Sequence, residues 1–294
     1  MSGQAEAVAH GGATIVNAIA LGKGAAFGVS LWTKAQVKLT DEPGIISSEI
    51  TSDVKENPLL TQKTVEQVLK HFKVEKQFGA KVTTWSNIPI AKGLKSSSTA
   101  ANAIALATVA ALGKSLGDLE VVQLGVDAAF DANVTVTGAF DDACASYFGG
   151  AVITDNKARK IVKQLPLPKD LVVLFHVPPQ KAYTADSDVQ RLKTVKPLVE
   201  IAYSEALKGK VWDALTLNGL IYSAASNLNA KIAVDALAAG AVAAGLCGKG
   251  PATTAVVSTE KVDSVKIALQ AYEGEILQAN LNSEKAKVTK NWQT

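Results

Sequence analysis

Residues 89–101 read PIAKGLKSSSTAA, and the chain continues as NAIALATVAAL through residue 112. Ala100, Ala103, Ile104, Ala107 and Ala111 fall on one face of a helix, and Gly113 ends it. The run Gly93-Leu94-Lys95-Ser96-Ser97-Ser98 therefore leads into a helix N-terminus. The first N–H groups of a helix have no partner within it, and the helix dipole adds positive potential there. Such an end attracts anions. Glycine lets the backbone come close, short hydroxyls add donors, and Lys95 adds a positive charge. On physics alone two readings stay open: a loop that binds phosphate, or a plain helix start capped by serine.

The familiar P-loop does not explain this segment. Gly113-Lys114-Ser115 comes nearest to it, but Thr108 stands where that motif needs glycine, and the tripeptide ends a helix. Gly22-Lys23-Gly24 lacks the following Ser or Thr. No GxGxxG follows the first strand. Far downstream, Gly245-Leu246-Cys247-Gly248-Lys249-Gly250-Pro251-Ala252-Thr253 is a second glycine-rich element. By itself it is a tight turn between strands or the other half of one anion site.

Around these loops the pattern alternates between periods of two and 3.6 residues. Ala13–Ile19, Phe27–Leu39, Lys81–Ser86, Gly150–Thr154, Leu171–Val177, Thr253–Thr259 and Glu275–Asn280 read as strands. Asn133–Phe140 has Thr and Val at strand-like density, just before Asp141 and Asp142. Pro58–Phe72 reads as a helix with Asn57 as its cap, and Asp118–Ala132 as one capped by Asp118. Residues 187–223 read as two helices broken near Gly209, followed by helices at Asn229–Leu237 and Val262–Tyr272. Residues 283–294 are polar and are expected to fray. The fold class is α+β, with two domains, 1–155 and 156–294.

Composition excludes several classes of function. The 294 residues are 48% hydrophobic and 19% charged, a core-forming balance. The net charge of +3 comes from 30 basic and 27 acidic side chains, with lysine spread along the chain. A nucleic-acid partner is not expected from that pattern. Cys144 and Cys247 are far apart and lack metal-ligand spacing, so free thiols are expected. His10, His71 and His176 are scattered, which argues against a histidine triad or a zinc site, and His176 lies in an apolar run. The N-terminus does not read as a signal peptide. The longest apolar stretch, Ile232–Leu246, is too short to span a membrane and carries Asp235. A soluble, cytoplasmic protein with no membrane partner is expected.

Three segments, in order, resemble the motifs of the GHMP kinases, the superfamily of galactokinase, homoserine kinase and mevalonate kinase. Gly12–Ala20 with Gly22-Lys23-Gly24-Ala25-Ala26 is similar to the first motif, Pro89–Ala101 to the second, and Gly245–Thr253 to the third. Within that superfamily the chain resembles the archaeal shikimate kinases. The resemblance rests on Lys95 in Gly93–Ser98 and on the run Val136-Thr137-Gly138-Ala139-Phe140-Asp141-Asp142-Ala143-Cys144-Ala145-Ser146. It implies a GHMP fold, with an N-terminal half like ribosomal protein S5 domain 2 and a C-terminal α/β-sandwich half. ATP and the acceptor meet in the cleft between them. It also implies ATP-dependent phosphorylation of shikimate to 3-phosphoshikimate, a step of aromatic amino acid biosynthesis, with Mg2+.

The resemblance also implies site residues. Gly93, Leu94, Lys95, Ser96, Ser97, Ser98, Gly248 and Gly250 would surround the ATP phosphates. The family's catalytic aspartate lies seven residues before a glycine pair, and Gly149-Gly150 places it at Asp142. Asp141 is the neighbouring alternative; on a strand only one of the two would face the substrate. Homoserine kinases have asparagine at the position matching Asp142. A metal-binding acid eleven residues earlier falls on Asp131, with Ser97 or Ser98 completing the site through a hydroxyl. For the substrate carboxylate a bidentate arginine would suit, which points to Arg191, beyond the segment that contains Thr184; Asn17 and Lys23 are further candidates. Other readings on the same scaffold are a homoserine or mevalonate kinase and a ligand-binding relative without catalysis.

Overall fold

The computed structural model describes residues 3–52, 56–180 and 188–292. In chain order its elements are β1 (Gln4–Val16), β2 (Lys23–Thr40), β3 (Ile46–Ile50), α1 (Leu59–His71), β4 (Gly79–Ser86), α2 (Ser96–Ala111), α3 (Asp118–Asp131) and α4 (Phe140–Phe148). Then come β5 (Ala151–Asp155), β6 (Lys160–Leu165), β7 (Leu171–Val177), α5 (Val189–Thr194), α6 (Lys196–Leu207), α7 (Val211–Ala225) and α8 (Lys231–Ala238). The chain closes with β8 (Ala243–Leu246), β9 (Thr253–Ser258), α9 (Val262–Gln270), β10 (Glu275–Asn280) and β11 (Lys287–Trp292).

Two sheets result, as expected for an α+β chain. The first runs β11-β1-β2-β4-β3, with β5 also on β2 and β6 on β5. β2 is long enough to serve two partners: Thr33–Thr40 pair with β4, and Lys23–Phe27 pair with β5. The second sheet runs β10-β7-β9-β8 and is antiparallel throughout.

The alternation of β1 explains how one sheet serves two cores. Ala5, Ala7 and Ala9 pack against the helices α1 to α4, whereas Ala13 and Ile15 belong to the core on the opposite side. The register shifts between His10 and Gly11. A bulge there changes the face that odd-numbered side chains take. The second core joins β1, β2 and β5 through α6 and α7 to the inner face of the second sheet. α8 and α9 cover the outer face of that sheet.

Several elements differ from the sequence reading. β1 begins at Gln4 and ends at Val16, because pairing with β2 and β11 outweighs the poor strand propensity of its alanines and glycines. Residues 283–294 do not simply fray: Lys287–Trp292 hydrogen-bond along the edge of β1, although all six side chains are exposed. The short strands β3 and β6 are added, and 188–225 holds three helices, with Gly209 separating α6 from α7. Asp118 is the first residue of α3 and not its cap; Gly117 takes the cap position, and Glu120 accepts from its N–H at 2.9 Å. Asn57 does cap α1, accepting from the Leu59 N–H. Sheet membership does not change at residue 155, since β6 and β11 both return to the first sheet. Among the described residues no helix is long and apolar enough to cross a membrane.

Candidate active site

Asn133–Phe140, strand-like in sequence, is a turn that feeds α4. Asn133, Gly138 and Ala139 all have positive φ, and Val134, Thr135, Val136 and Thr137 line a cavity of about 290 Å3. Their apolar and hydroxyl character serves that wall and not a sheet. Asp141 and Asp142 accordingly lie in the first turn of α4 and not on a strand. There both carboxylates gain from the helix dipole.

The same cavity receives the N-terminus of α2. Lys95 occupies the cap position in the left-handed conformation (φ 66°), and no side chain caps the helix. The serine-capped alternative is thereby removed. Gly93, Lys95, Ser96, Ser97 and Ser98 line the cavity, while Leu94 is buried beneath it in the core. Two helix N-termini, α2 and α4, thus open into one cavity, a favourable place for an anion.

The backward turn at Lys95 sends its side chain to α4. Nζ lies 2.9 Å from Asp142 Oδ1, with the two side chains only 8% and 14% exposed. Burial opposes the ammonium, but Asp142, Cys247 and Asp141 outweigh it and hold the Lys95 pKa above its ordinary value. The lysine is a fixed cation. Asp141 points the other way, into the protein. Its Oδ1 accepts from Asn156 Nδ2 at 2.7 Å, and Thr154 Oγ1 lies 2.7 Å from Asn156 Oδ1. Burial first, and then the Asp142 charge, push the Asp141 pKa up to about 7. A Cβ on Gly24 would come 2.4 Å from Asp141 Oδ2, so the glycine of the first motif makes room for this carboxylate.

The downstream glycine loop closes the cavity from the second sheet. Gly248 and Gly250 line it. A Cβ on Gly93 would meet the Cys247 carbonyl oxygen at 2.3 Å, and one on Gly248 would meet Lys95 Nζ at 2.9 Å. The two loops therefore touch backbone to backbone. Asn17 fastens the contact, donating from Nδ2 to the Gly248 carbonyl at 3.0 Å while its Oδ1 accepts from the Ile19 N–H.

Residues 60–150 match the GHMP kinases N terminal domain. The chain is 42% identical to the shikimate kinase of Methanosarcina mazei, with 97% of each chain covered. It is 44% identical to the shikimate kinase of Methanothrix thermoacetophila over 96% of this chain and 95% of that one. The chain belongs to the archaeal shikimate kinase family of the GHMP kinases. A solved homoserine kinase from Cytophaga hutchinsonii superposes with a TM-score of 0.75 at 18% identity, covering 97% of both chains. That likeness establishes the GHMP fold.

In this shikimate kinase family member some expected site residues lie elsewhere. Asp131 ends α3, outside the cavity lining, and accepts from Gln67 Nε2 at 2.7 Å. Arg191 lies on α5, exposed, and donates to Asn227 Oδ1 at 2.7 Å; it does not line the cavity. Lys23 is exposed at the start of β2, away from the lining. Asn17 lines the cavity, but its amide is engaged by the Gly248 loop. Thr184 lies outside the described residues. Glu56, Thr14 and Asn156 were not legible as site residues. Asn156 follows β5 as an unremarkable polar residue, and only the fold brings it to Asp141.

The residues present suit a divalent cation carried with ATP. Among the described residues no three His, Cys, Asp or Glu side chains gather as a metal cage. Magnesium does not require one, since it keeps waters and shares phosphate oxygens with one or two protein groups. Ser97, Ser98, Glu56 and Asp142 supply oxygens around the cavity.

Proposed function

We infer that the chain transfers the γ-phosphoryl group of ATP to a hydroxyl of shikimate, giving 3-phosphoshikimate and ADP, a step of aromatic amino acid biosynthesis. The observation that carries the reading is the half-buried Lys95–Asp142 pair where the phosphate loop, the Gly248 loop and α4 meet. Phosphoryl transfer requires little covalent chemistry from the protein; it requires positioning and charge neutralisation. The N–H groups at the start of α2 hold phosphate oxygens, and Lys95 balances charge on the phosphoryl group in transit. Asp142 accepts the proton of the acceptor hydroxyl. Lys95 fixes the Asp142 carboxylate in one orientation, so its basic oxygen is aimed before the acceptor arrives. Ser97, Ser98 and Glu56 would hold the magnesium that comes with ATP, which would supply further neutralisation of the phosphates. Asp141 is a buried positioning group behind Asp142. The partners are two small molecules, and no nucleic acid takes part.

A coupled assay of ADP release with shikimate, homoserine and mevalonate tests the reading. Shikimate-dependent release is expected. Turnover of homoserine alone overturns the substrate, and tight binding of ATP and shikimate without turnover favours a non-catalytic relative.

A further inference from the structure

A second cavity, of about 440 Å3, adjoins the first. Ile19, Val136 and Thr137 line both. The charged side chains of the second cavity are Lys157, Arg159 and Lys193, and no aspartate or glutamate lines it among the described residues. Lys157 is seated by the backbone around it. Its N–H and that of Asn156 donate to the Gly22 carbonyl at 3.2 and 3.0 Å. A Cβ on Gly22 would lie 2.3 Å from Lys157 Cε, so the lysine stem crosses directly over this glycine. Lys193 approaches from α5. Neither lysine forms an ion pair among the described residues, whereas Arg159 is held by Asp127. Asn156 lines this second cavity and donates to Asp141, which connects it to the carboxylates of α4.

We propose that the second cavity is the acceptor subsite, and that Lys157 and Lys193 select an acceptor carrying a carboxylate. The proposal rests on the shikimate kinase reading. Two ammonium groups with no carboxylate of their own attract a monoanion. They repel the α-ammonium of homoserine, which finds no acidic partner there. Thr137 offers a hydrogen bond to a ring hydroxyl, and the wall shared with the first cavity lets another hydroxyl face Asp142. Arg191, the arginine suggested by sequence, has no part in this lining.

Calorimetric titration of the full chain, saturated with a non-hydrolysable ATP analogue, tests the subsite. Shikimate and its methyl ester are titrated into the wild type, Lys157→Gln, Lys193→Gln and the double variant; Lys196→Gln on α6 is the control. Each single substitution is expected to weaken shikimate binding about tenfold, and the pair by more than either alone. The ester is expected to bind the wild type at least tenfold more weakly than the acid and to ignore both substitutions. Affinity for the ATP analogue stays within twofold. An unchanged shikimate Kd in the double variant, an ester that weakens in parallel with the acid, or no shikimate binding by the wild type overturns the subsite. Charge-dependent binding of shikimate without phosphoryl transfer contradicts the kinase reading and leaves the subsite standing.

Discussion

Lys95 Nζ sits 2.9 Å from Asp142 Oδ1, joining the start of α2 to the start of α4 inside the cavity. Lys95→Met leaves Asp142 with its orientation lost and the phosphates with one cation fewer. We expect kcat to fall about a hundredfold or more. Lys95→Arg is not expected to rescue, because Gly248 leaves no room around Nζ for a planar guanidinium. Steady-state kinetics on both variants checks this, and recovery in the arginine variant would contradict it.

Asp142→Asn keeps the shape and removes the base. A drop in kcat of about 10²- to 10⁴-fold is expected, with KM for ATP changed little. Rapid-quench measurement of the chemical step separates this from slow product release.

The Asp141 carboxyl has its pKa pushed up to about 7, by burial and then by Asp142. An unfolded aspartate ionises near about pH 4. Between those values the folded chain holds a proton that the unfolded chain has released. The favourable contribution of this residue is therefore complete below about pH 4 and is lost as pH rises through about 7. Denaturant unfolding at pH 4.5 and pH 8 should show Asp141→Asn gaining stability relative to the wild type at the higher pH. A difference independent of pH would contradict the raised pKa.

Gly93 and Gly248 both have positive φ, and each faces the other loop at close range. Alanine at either position carries backbone strain of about 1–3 kcal/mol and pushes the loops apart. Lower thermal stability and an ATP affinity reduced at least tenfold are expected, measurable by differential scanning calorimetry and nucleotide titration. An alanine variant with wild-type ATP affinity would show that the loop contact does not shape the phosphate site.

Asp131 and Ser97 separate two views of the metal. Asp131 is engaged with Gln67 outside the cavity. Asp131→Ala is expected to keep the wild-type Mg2+ requirement within twofold, while Ser97→Ala raises the half-saturating Mg2+ concentration several-fold. Titrating Mg2+ after chelation checks both.

Much of the candidate cavity could be read from the sequence because a glycine-rich loop entering a helix uses consecutive residues. Gly93–Ser98 and Gly248–Gly250 are local signals, and Lys95 stands within one of them. Asp142 came from the family resemblance, through its spacing to Gly149. Groups that meet only through folding left no such trace. Asn156 and Asp141 are joined by a turn after β5, and Lys157 is seated by Gly22 from another strand pair. The Thr and Val residues of 133–137 look like a strand in sequence because a cavity wall and a sheet face use the same residue types. The acidic position at 131 was inferred from spacing, but α3 turns that side chain toward α1. In the fold, the alternating strands were legible. The edge strand β11 was not, because backbone pairing orders it and its side chains are exposed.

The most direct test of phosphoryl transfer at the Lys95–Asp142 pair is a single-turnover reaction. ATP labelled at the γ-phosphate is mixed with excess enzyme and shikimate, and the labelled products are separated over time. The wild type is expected to move the label to shikimate, and Asp142→Asn to do so at least a hundredfold more slowly. Label that stays on ATP in the wild type, or that moves equally fast in Asp142→Asn, would contradict the account.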